Sequence, residues 1–298
     1  MVSHDPAVAR AYEYCERLAR EHYENFPVAS HLLPAAMRPH IAAIYAFART
    51  ADDFADEPGR TIEERLQLLD EYGARLSCLT SSHASSDGTA ARTATVNDPV
   101  FVALRQTVRD CRLPIGLFAD LLSAFRQDVT TTRYATWADV LDYCRRSANP
   151  VGRLVLRVAG HDDPRLDEAS DAVCTALQLA NFWQDLERDW AIGRLYVPAD
   201  ARIAAGARDE DLTARRMTSE WRAVMRDMTG RTRSLFSAGR RVCDGVGGRL
   251  RWELRLTWLG GSRILDKLER ADFDVFSARP TVGPWDVPGL LRDAVLWR

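Results

Sequence analysis

Several patterns that mark common protein classes are missing from this 298-residue chain. No apolar run approaches the ~20 residues that a membrane-spanning helix requires, and the N-terminus lacks the apolar core of a signal peptide. The six cysteines are scattered and contain no CxxC pair, which is typical of reduced thiols and not of a disulfide framework or a zinc site. A formal net charge of −2 gives no electrostatic support for nucleic-acid binding. We therefore expect a soluble cytoplasmic protein.

Strand signals are also scarce. Strict apolar–polar alternation is hard to find, whereas apolar residues at helical spacing recur along the chain. The pattern predicts an all-α protein with a single domain over residues 1–298. Its core would span about 5–276 and be followed by an irregular tail over 277–298. Residues 80–97 are rich in Ser, Thr and Ala, and we expect a flexible surface loop there.

Apolar spacing and capping residues place the helices. They are predicted over Asp5–His22, Ala35–Asp56, Thr61–Leu79, Pro99–Cys111, Pro114–Asp128, a stretch that begins after Thr136, Arg165–Trp190, Ser219–Cys243 and Gly248–Arg270. Pro150 removes a backbone donor and Gly152 adds local freedom, so a kink is expected between about Ser147 and Gly152. Residues 193–206 contain a proline and are predicted to form a loop.

The first acidic motif lies in the stretch YAFARTADDFADE, residues 45–57. Asp52 and Asp56 are one helical turn apart and therefore share a face, with Asp53 beside them. Tyr45 and Arg49 lie on the same face. This motif alone would also be typical of a solvated acidic surface.

A second acidic motif lies in QLANFWQDLERD, residues 178–189. Asn181, Asp185 and Asp189 repeat every four residues, and Gln178 precedes Asn181 by three. Both motifs stand among bulky aromatic residues, which is unusual for two solvated faces. Carboxylates aligned toward an apolar cavity repel one another unless cations neutralise them, and Mg²⁺ prefers such oxygen ligands. Together the motifs predict a divided Mg²⁺ site.

Other chemistries have little support. The chain has no glycine-rich phosphate loop, no HExxH pair and no GxSxG nucleophile motif. Nucleotide binding through a phosphate loop and hydrolysis by a catalytic triad are therefore not expected.

The segments YAFARTADDFAD, YCRRSANPVG, LQLANFWQDLERDW and GRLYVP together resemble the squalene/phytoene synthase family over nearly the whole chain. The resemblance implies the all-α isoprenoid synthase fold, with a central active-site cavity and acidic motifs on facing helices. It also implies that Mg²⁺ bridges the carboxylates to an allylic diphosphate and promotes its ionisation.

The resemblance assigns a role to each matching position. The implied metal ligands are Asp52, Asp53, Asp56, Asp185 and Asp189; the implied catalytic residues are Tyr45, Arg49, Tyr143, Asn149, Gln178 and Asn181; the implied substrate-binding residues are Arg49, Phe26, Arg194 and Tyr196.

One departure from the family pattern is informative. Condensing members carry a VAGxVG-like sequence at the helix kink, whereas this chain has SANPVG at residues 147–152. With NFPVAS at residues 25–30, it looks like the bacterial hydroxysqualene synthase branch, in which water captures the cation formed from presqualene diphosphate. Asn149 or Ser147 would position that water, or both side chains would only pack at the kink.

Two alternatives stay open at this point: a head-to-head condensing prenyl synthase and a non-catalytic helical scaffold derived from the family. The expected partner is a prenyl diphosphate substrate, and presqualene diphosphate is the favoured candidate. Contact with other enzymes of the pathway is left open, as is peripheral contact with the inner face of the membrane. Residues 226–241 are the nearest amphipathic candidate for such contact, and we interpret them as a solvated face.

Overall fold

The computed structural model describes residues 5–21, 32–79 and 97–297. Phe26 and most of the loop predicted over residues 80–97 lie outside this part of the chain. The helices are α1 Pro6–Glu21, α2 Arg38–Asp56, α3 Ile62–Ser77, α4 Pro99–Cys111, α5 Ile115–Thr130, α6 Trp137–Ser147, α7 Asn149–Val158, α8 Pro164–Gln184, α9 Leu186–Ala191, α10 Ala199–Ala205, α11 Asp209–Thr213, α12 Ser219–Gly239, α13 Val242–Gly245, α14 Gly248–Arg270 and α15 Val287–Leu296.

Helix starts follow from local capping chemistry. The hydroxyl of Thr61 accepts from the backbone N–H of Glu64, whose carboxylate accepts from the N–H of Thr61 in return. Thr136 and Asp139 form the same reciprocal pair at the start of α6. Such caps satisfy backbone donors that have no partner inside the helix, so sequence alone predicts them.

Contacts between Cα atoms divide the chain into two compact units. Unit 1 comprises Met1–Thr130 and Pro150–Asp163; unit 2 comprises Thr131–Asn149 and Pro164–Arg298. In the described part of the chain no strand is present, and one isolated parallel bridge pairs Arg133 with Leu195. None of the described helices is long and apolar enough to cross a membrane.

The core of unit 1 is an aromatic cluster that holds α2 in place. The rings of Phe47 and Tyr72 stack with centroids 4.9 Å apart, and Phe101 and Phe118 each meet Phe47 edge to face. All four side chains are buried. Since Phe47 belongs to the inner face of α2, this packing turns the opposite face, which carries the first acidic motif, away from the core.

Unit 2 is built around α8, α12 and α14. Trp183 of α8 is fully buried and donates its indole N–H to Thr232 of α12 over 2.9 Å. Gly261 lets α14 approach closely, because a Cβ there would stand 2.5 Å from Phe236 and 2.6 Å from Leu177. This packing fixes the end of α8, where the second acidic motif begins.

The predicted interruption near Pro150 is present in the structure. The kink expected between Ser147 and Gly152 separates two helices: α6 ends at Ser147, and α7 begins at Asn149 after the single turn residue Ala148, whose N–H still donates to the carbonyl of Cys144. Pro150 then occupies the first turn of α7, where its missing N–H costs no internal hydrogen bond.

Four sequence-based predictions are wrong in detail. The helix predicted over Ser219–Cys243 ends at Gly239, and α13 begins at Val242. The helix predicted over Arg165–Trp190 is interrupted at Asp185, which separates α8 from α9. The loop predicted over residues 193–206 contains α10. The tail predicted to be irregular contains the 3₁₀ turn Pro284–Asp286 and α15. Pro284 and Pro288 both occupy first turns, where proline is tolerated.

Candidate active site

The first acidic motif lies on an unbroken helix. Ile41, Ile44 and Phe47 of α2 are buried, whereas Asp52 and Asp53 are partly exposed and Asp56 is exposed. The structure therefore brings these three carboxylates to the polar face of α2, as the spacing predicted, together with the partly exposed Tyr45 and Arg49.

Arg49 neutralises this motif from within the same helix. Its Nη2 lies 2.7 Å from Asp53 Oδ1, and its Nη1 lies 3.4 Å from Asp52 Oδ2. Its Nε is buried and has no hydrogen bond among the described residues. One guanidinium group thus bridges two predicted metal ligands and keeps a donor unused, which suits a group that binds an anion.

The second acidic motif lies at the break between α8 and α9. Asp185 is the residue at the break, and Asn181 donates to its Oδ2 from one turn earlier over 2.8 Å. Arg279 binds the same carboxylate in a bidentate manner: Nε contacts Oδ1 and Nη2 lies 3.0 Å from Oδ2. The side chain of Asp185 is 17% exposed. Arg279 is 94 residues away along the chain, and no motif in the sequence identified it.

Asp189 follows one turn after Asp185. Burial first, and then the neighbouring carboxylate of Asp185, raise the pKa of Asp189 to about 7. The charges of Arg194 and Arg279 oppose this rise. The backbone N–H of Arg194 donates to the carbonyl of Asp189 over 2.7 Å, which places Arg194 beside the motif. A carboxylate in this setting favours an added cation, because a cation removes the repulsion between the two aspartates.

Four aromatic rings form a cluster next to this motif in the chain. Phe182 and Tyr196 stack with centroids 3.6 Å apart and planes 3° from parallel. The ring centroid of Tyr143 lies 6.1 Å from that of Phe182, and the ring centroid of Tyr134 lies 5.6 Å from that of Tyr196. The bridge at Leu195, whose N–H donates to the carbonyl of Thr132 over 2.9 Å, holds Tyr196 beside Tyr134. Such ring faces provide dry walls that stabilise cations.

The helix break after α6 carries two polar side chains of interest. Asn149 is buried, and its Oδ1 accepts a hydrogen bond from Thr175 over 2.9 Å. Ser147 Oγ is buried and has no hydrogen-bond partner within the described part of the chain. A buried hydroxyl without a partner costs free energy unless a water or ligand satisfies it.

The donor chemistry fits Mg²⁺ that is shared with a diphosphate. Among the described residues, no group of three or more His, Cys, Asp or Glu side chains could hold a metal ion unaided. Each motif nevertheless offers carboxylate oxygens, and Mg²⁺ is commonly bound by one or two carboxylates, with phosphates and water completing the shell. Asp52, Asp53 and Asp56 would hold the ion in one motif, and Asp185 and Asp189 in the other.

Two further predicted residues lie on α6 and α8. Tyr143 is buried on α6, and Gln178 is partly exposed on α8, one turn before Asn181. Sequence reasoning missed Thr175 and Tyr134 as well as Arg279. Thr175 is three residues before Gln178, and the hydrogen bond to Asn149 that distinguishes it joins residues 26 positions apart.

An all-helical chain with two aspartate motifs, each paired with an arginine, and with an aromatic cluster beside one of them has the features of an all-α isoprenoid synthase. The family model described as squalene/phytoene synthase matches residues 19–286. The chain belongs to the squalene/phytoene synthase family, whose members act on prenyl diphosphates with a divalent metal.

Individual relatives agree with this assignment. The chain is 36% identical over 251 residues to a hydroxysqualene synthase of Rhodopseudomonas palustris, covering 84% of this chain and 80% of the relative. It is 28% identical over 288 residues to a phytoene synthase of Arthrospira platensis, covering 92% and 89%. The crystal structure of the squalene synthase HpnC from Alicyclobacillus acidocaldarius matches with a TM-score of 0.80 at 40% identity, covering 89% of this chain and 95% of that one. The predicted fold class is confirmed.

Proposed function

We propose that this enzyme converts presqualene diphosphate to hydroxysqualene. The carbon–oxygen bond to the diphosphate breaks, and the leaving group departs with the electron pair. The cyclopropylcarbinyl cation rearranges, water adds to it, and the added water loses a proton. The products are hydroxysqualene, diphosphate and H⁺, so the reaction requires no reductant. The identity to hydroxysqualene synthases supports this reaction over the condensing alternative.

The charged residues would act on the leaving group. Bound Mg²⁺ would supply electrostatic stabilisation of the departing diphosphate. Asp52, Asp53, Asp56, Asp185 and Asp189 would hold the metal. Arg49 and Arg279 pair with these carboxylates in the structure, and each would turn its guanidinium toward the more highly charged diphosphate.

The aromatic cluster would protect the cation. Tyr143, Phe182 and Tyr196 belong to this cluster, and aromatic rings attract a carbocation without reacting with it as a carboxylate or an amine would. Phe182 and Tyr143 are buried, so this part of the chain excludes bulk water. Capture by water must therefore rely on a water molecule that the protein itself holds.

The helix break at Ser147–Asn149 is the observation that carries the proposal. Thr175 fixes Oδ1 of Asn149 and so orients the Nδ2 hydrogens, while Ser147 contributes a buried hydroxyl without a partner among the described residues. A water molecule would satisfy Ser147 Oγ and could be oriented by Asn149. The apolar and glycine residues of the condensing pattern offer no such groups.

Product analysis tests the reaction. Purified protein with Mg²⁺ and without NADPH would receive presqualene diphosphate in one reaction and farnesyl diphosphate in another, with products identified by mass spectrometry. The expected result is hydroxysqualene from the first and nothing from the second. Presqualene diphosphate formed from farnesyl diphosphate would instead establish a condensing synthase, and no product in either reaction would overturn both.

The role of the helix break has its own test. Asn149→Gly should lower the yield of hydroxysqualene and release other cation-derived products. Thr175→Val should lower kcat about fivefold, the equivalent of one hydrogen bond of ~1 kcal/mol. Thr229→Val is the matched control, since Thr229 is also buried and its Oγ1 has no hydrogen-bond partner among the described residues. An Asn149→Gly variant with normal yield and product identity would exclude the proposed positioning of water.

A further inference from the structure

The C-terminal helix α15 is apolar on two sides, and only one side is covered. Its inner face packs Leu290 and Ala294 into unit 2. Arg255 of α14 donates to the carbonyl of Ala294 over 3.1 Å, and Trp297 lies 4.8 Å from the guanidinium of Arg255. The helix is therefore firmly attached by one face.

The other side of this segment is exposed. Val287, Leu291 and Val295 follow one another at four-residue spacing and are 46%, 51% and 66% exposed. Trp285, in the 3₁₀ turn that leads into the helix, is 97% exposed. We call this surface the α15 face; its apolar members are Val282, Trp285, Val287, Leu291, Val295 and Leu296. Eleven large apolar side chains are exposed in the described part of the chain, and six of them belong to this face, so they form a patch and not scattered surface residues.

The charges around the face favour an anionic partner. Both carboxylates of the segment have cationic partners: Asp286 lies 2.6 Å from Lys267 Nζ, and Asp293 lies 3.5 Å from Arg263 and 2.8 Å from Arg292. Arg263 also lies 3.8 Å from Asp266, so the inner charges of this cluster compensate one another. The side chain of Arg292 is 69% exposed, whereas those of Asp286 and Asp293 are 11% and 29% exposed. Positive charge therefore lies outermost.

The dimensions of the face argue against a stable protein partner. A helix of ten residues is about 15 Å long and about 10 Å wide, so its outer face offers at most a few hundred Å². A stable interface between proteins buries about 800 Å² on each side. A short apolar helix with an exposed tryptophan and a peripheral arginine is instead suited to the boundary between lipid headgroups and acyl chains, where apolar area and attraction to anionic lipids add together.

We propose that the α15 face docks this enzyme on the surface of an anionic lipid bilayer. The face lies parallel to the membrane plane. Trp285, Leu291 and Val295 enter the acyl boundary, and Arg292 contacts lipid phosphate. This assignment is independent of the reaction proposed above and replaces the amphipathic candidate at residues 226–241.

Vesicle flotation with the purified full chain tests this proposal. The protein should float with vesicles of phosphatidylcholine and phosphatidylglycerol at three to one, and bind phosphatidylcholine vesicles more weakly. Trp285→Ser and Leu291→Ser should each weaken binding about tenfold, because each removes one large apolar side chain from the acyl boundary. Arg292→Gln should weaken binding to the anionic vesicles about fivefold and reduce its dependence on salt.

Ile203→Ser is the matched control, since Ile203 is 78% exposed on α10 and lies outside the face. It should leave vesicle binding unchanged. Sedimentation velocity tests whether a second copy of the chain, and not a lipid surface, covers the α15 face. A dimer that Leu291→Ser dissociates would overturn the proposal in favour of that second copy. Failure to bind either vesicle would overturn it as well, as would vesicle binding that Trp285→Ser and Leu291→Ser leave intact.

Discussion

In both acidic motifs an arginine pairs with closely spaced aspartates, but the arginine comes from a different place in the chain in each. In the first, Arg49 lies three and four residues before Asp52 and Asp53 on one continuous helix, so the cation and the carboxylates share a face by helical geometry alone. In the second, the helix stops at Asp185, and the partner Arg279 comes from a segment 94 residues later. The first motif is compensated within its own helix, whereas the bidentate cationic partner of the second comes from tertiary structure.

This difference matters for the chemistry of the two motifs. The Arg49 and Asp53 side chains are 35% and 45% exposed, so water screens their charges. Asp185 is mostly buried, and the pKa of Asp189 is raised by burial first and then by the proximity of Asp185. The second motif should therefore depend more strongly on its arginine, on pH and on bound cations than the first.

The largest expected effect is on turnover, and it should be equal in the two motifs. Asp53→Asn and Asp189→Asn should each reduce kcat about a thousandfold or more, because each removes a carboxylate that would hold Mg²⁺ at the leaving diphosphate. Helical content measured by circular dichroism should stay unchanged. Asp227→Asn, at a half-exposed aspartate paired with Arg231, is the control and should retain activity. Activity that survives both substitutions would refute the metal assignment.

Substitution of the arginine in each motif should lower the stability of the protein by different amounts. Arg279→Gln should lower the free energy of unfolding by about 2 kcal/mol, because it leaves the buried Asp185 without its bidentate partner. Arg49→Gln should lower it by about 0.5 kcal/mol, as is usual for exposed ion pairs. Urea unfolding in the presence of a chelator measures both values. Equal losses for the two variants would show that the contrast between local and tertiary compensation has no energetic consequence.

The smallest expected effect is a dependence of stability on pH that belongs to the second motif. The pKa of Asp189 is raised to about 7, above its ordinary value of 3.8, so the folded chain retains a proton that the unfolded chain releases earlier. Between about pH 4 and about pH 7 the folded protein binds more protons, and the free energy of unfolding from this group falls as pH rises. Above the pKa of Asp189 in the folded state, the stabilisation that the retained proton provides is lost entirely.

Urea midpoints from about pH 5 to about pH 8, with a chelator present, measure this slope. Asp189→Asn should flatten it, and Asp53→Asn should not. Excess Mg²⁺ should also flatten it, because a cation held by the carboxylate replaces the proton. A wild-type slope retained in Asp189→Asn would mean that other groups carry the dependence.

Local chemistry explains where sequence-based prediction succeeded. The pairing of Thr61 with Glu64 begins α3, and α4 and α14 have the predicted bounds Pro99–Cys111 and Gly248–Arg270. These features depend on neighbours within one helical turn. The break at Asp185 was missed because the apolar spacing continues across it, and the helix α15 was missed because the tail contains three prolines.

The sequence by itself determined the all-helical fold, the polar face of α2 with Arg49 among its aspartates, and the pair Asp185 and Asp189 at four-residue spacing. All of these follow from the period of the α-helix, which is a local property of the chain. Only the tertiary structure decided that Arg279 binds Asp185, that Thr175 orients Asn149, that Tyr196 stacks on Phe182 and that one side of α15 remains uncovered. The physical reason is that each depends on segments far apart in sequence, whose contacts no local pattern encodes.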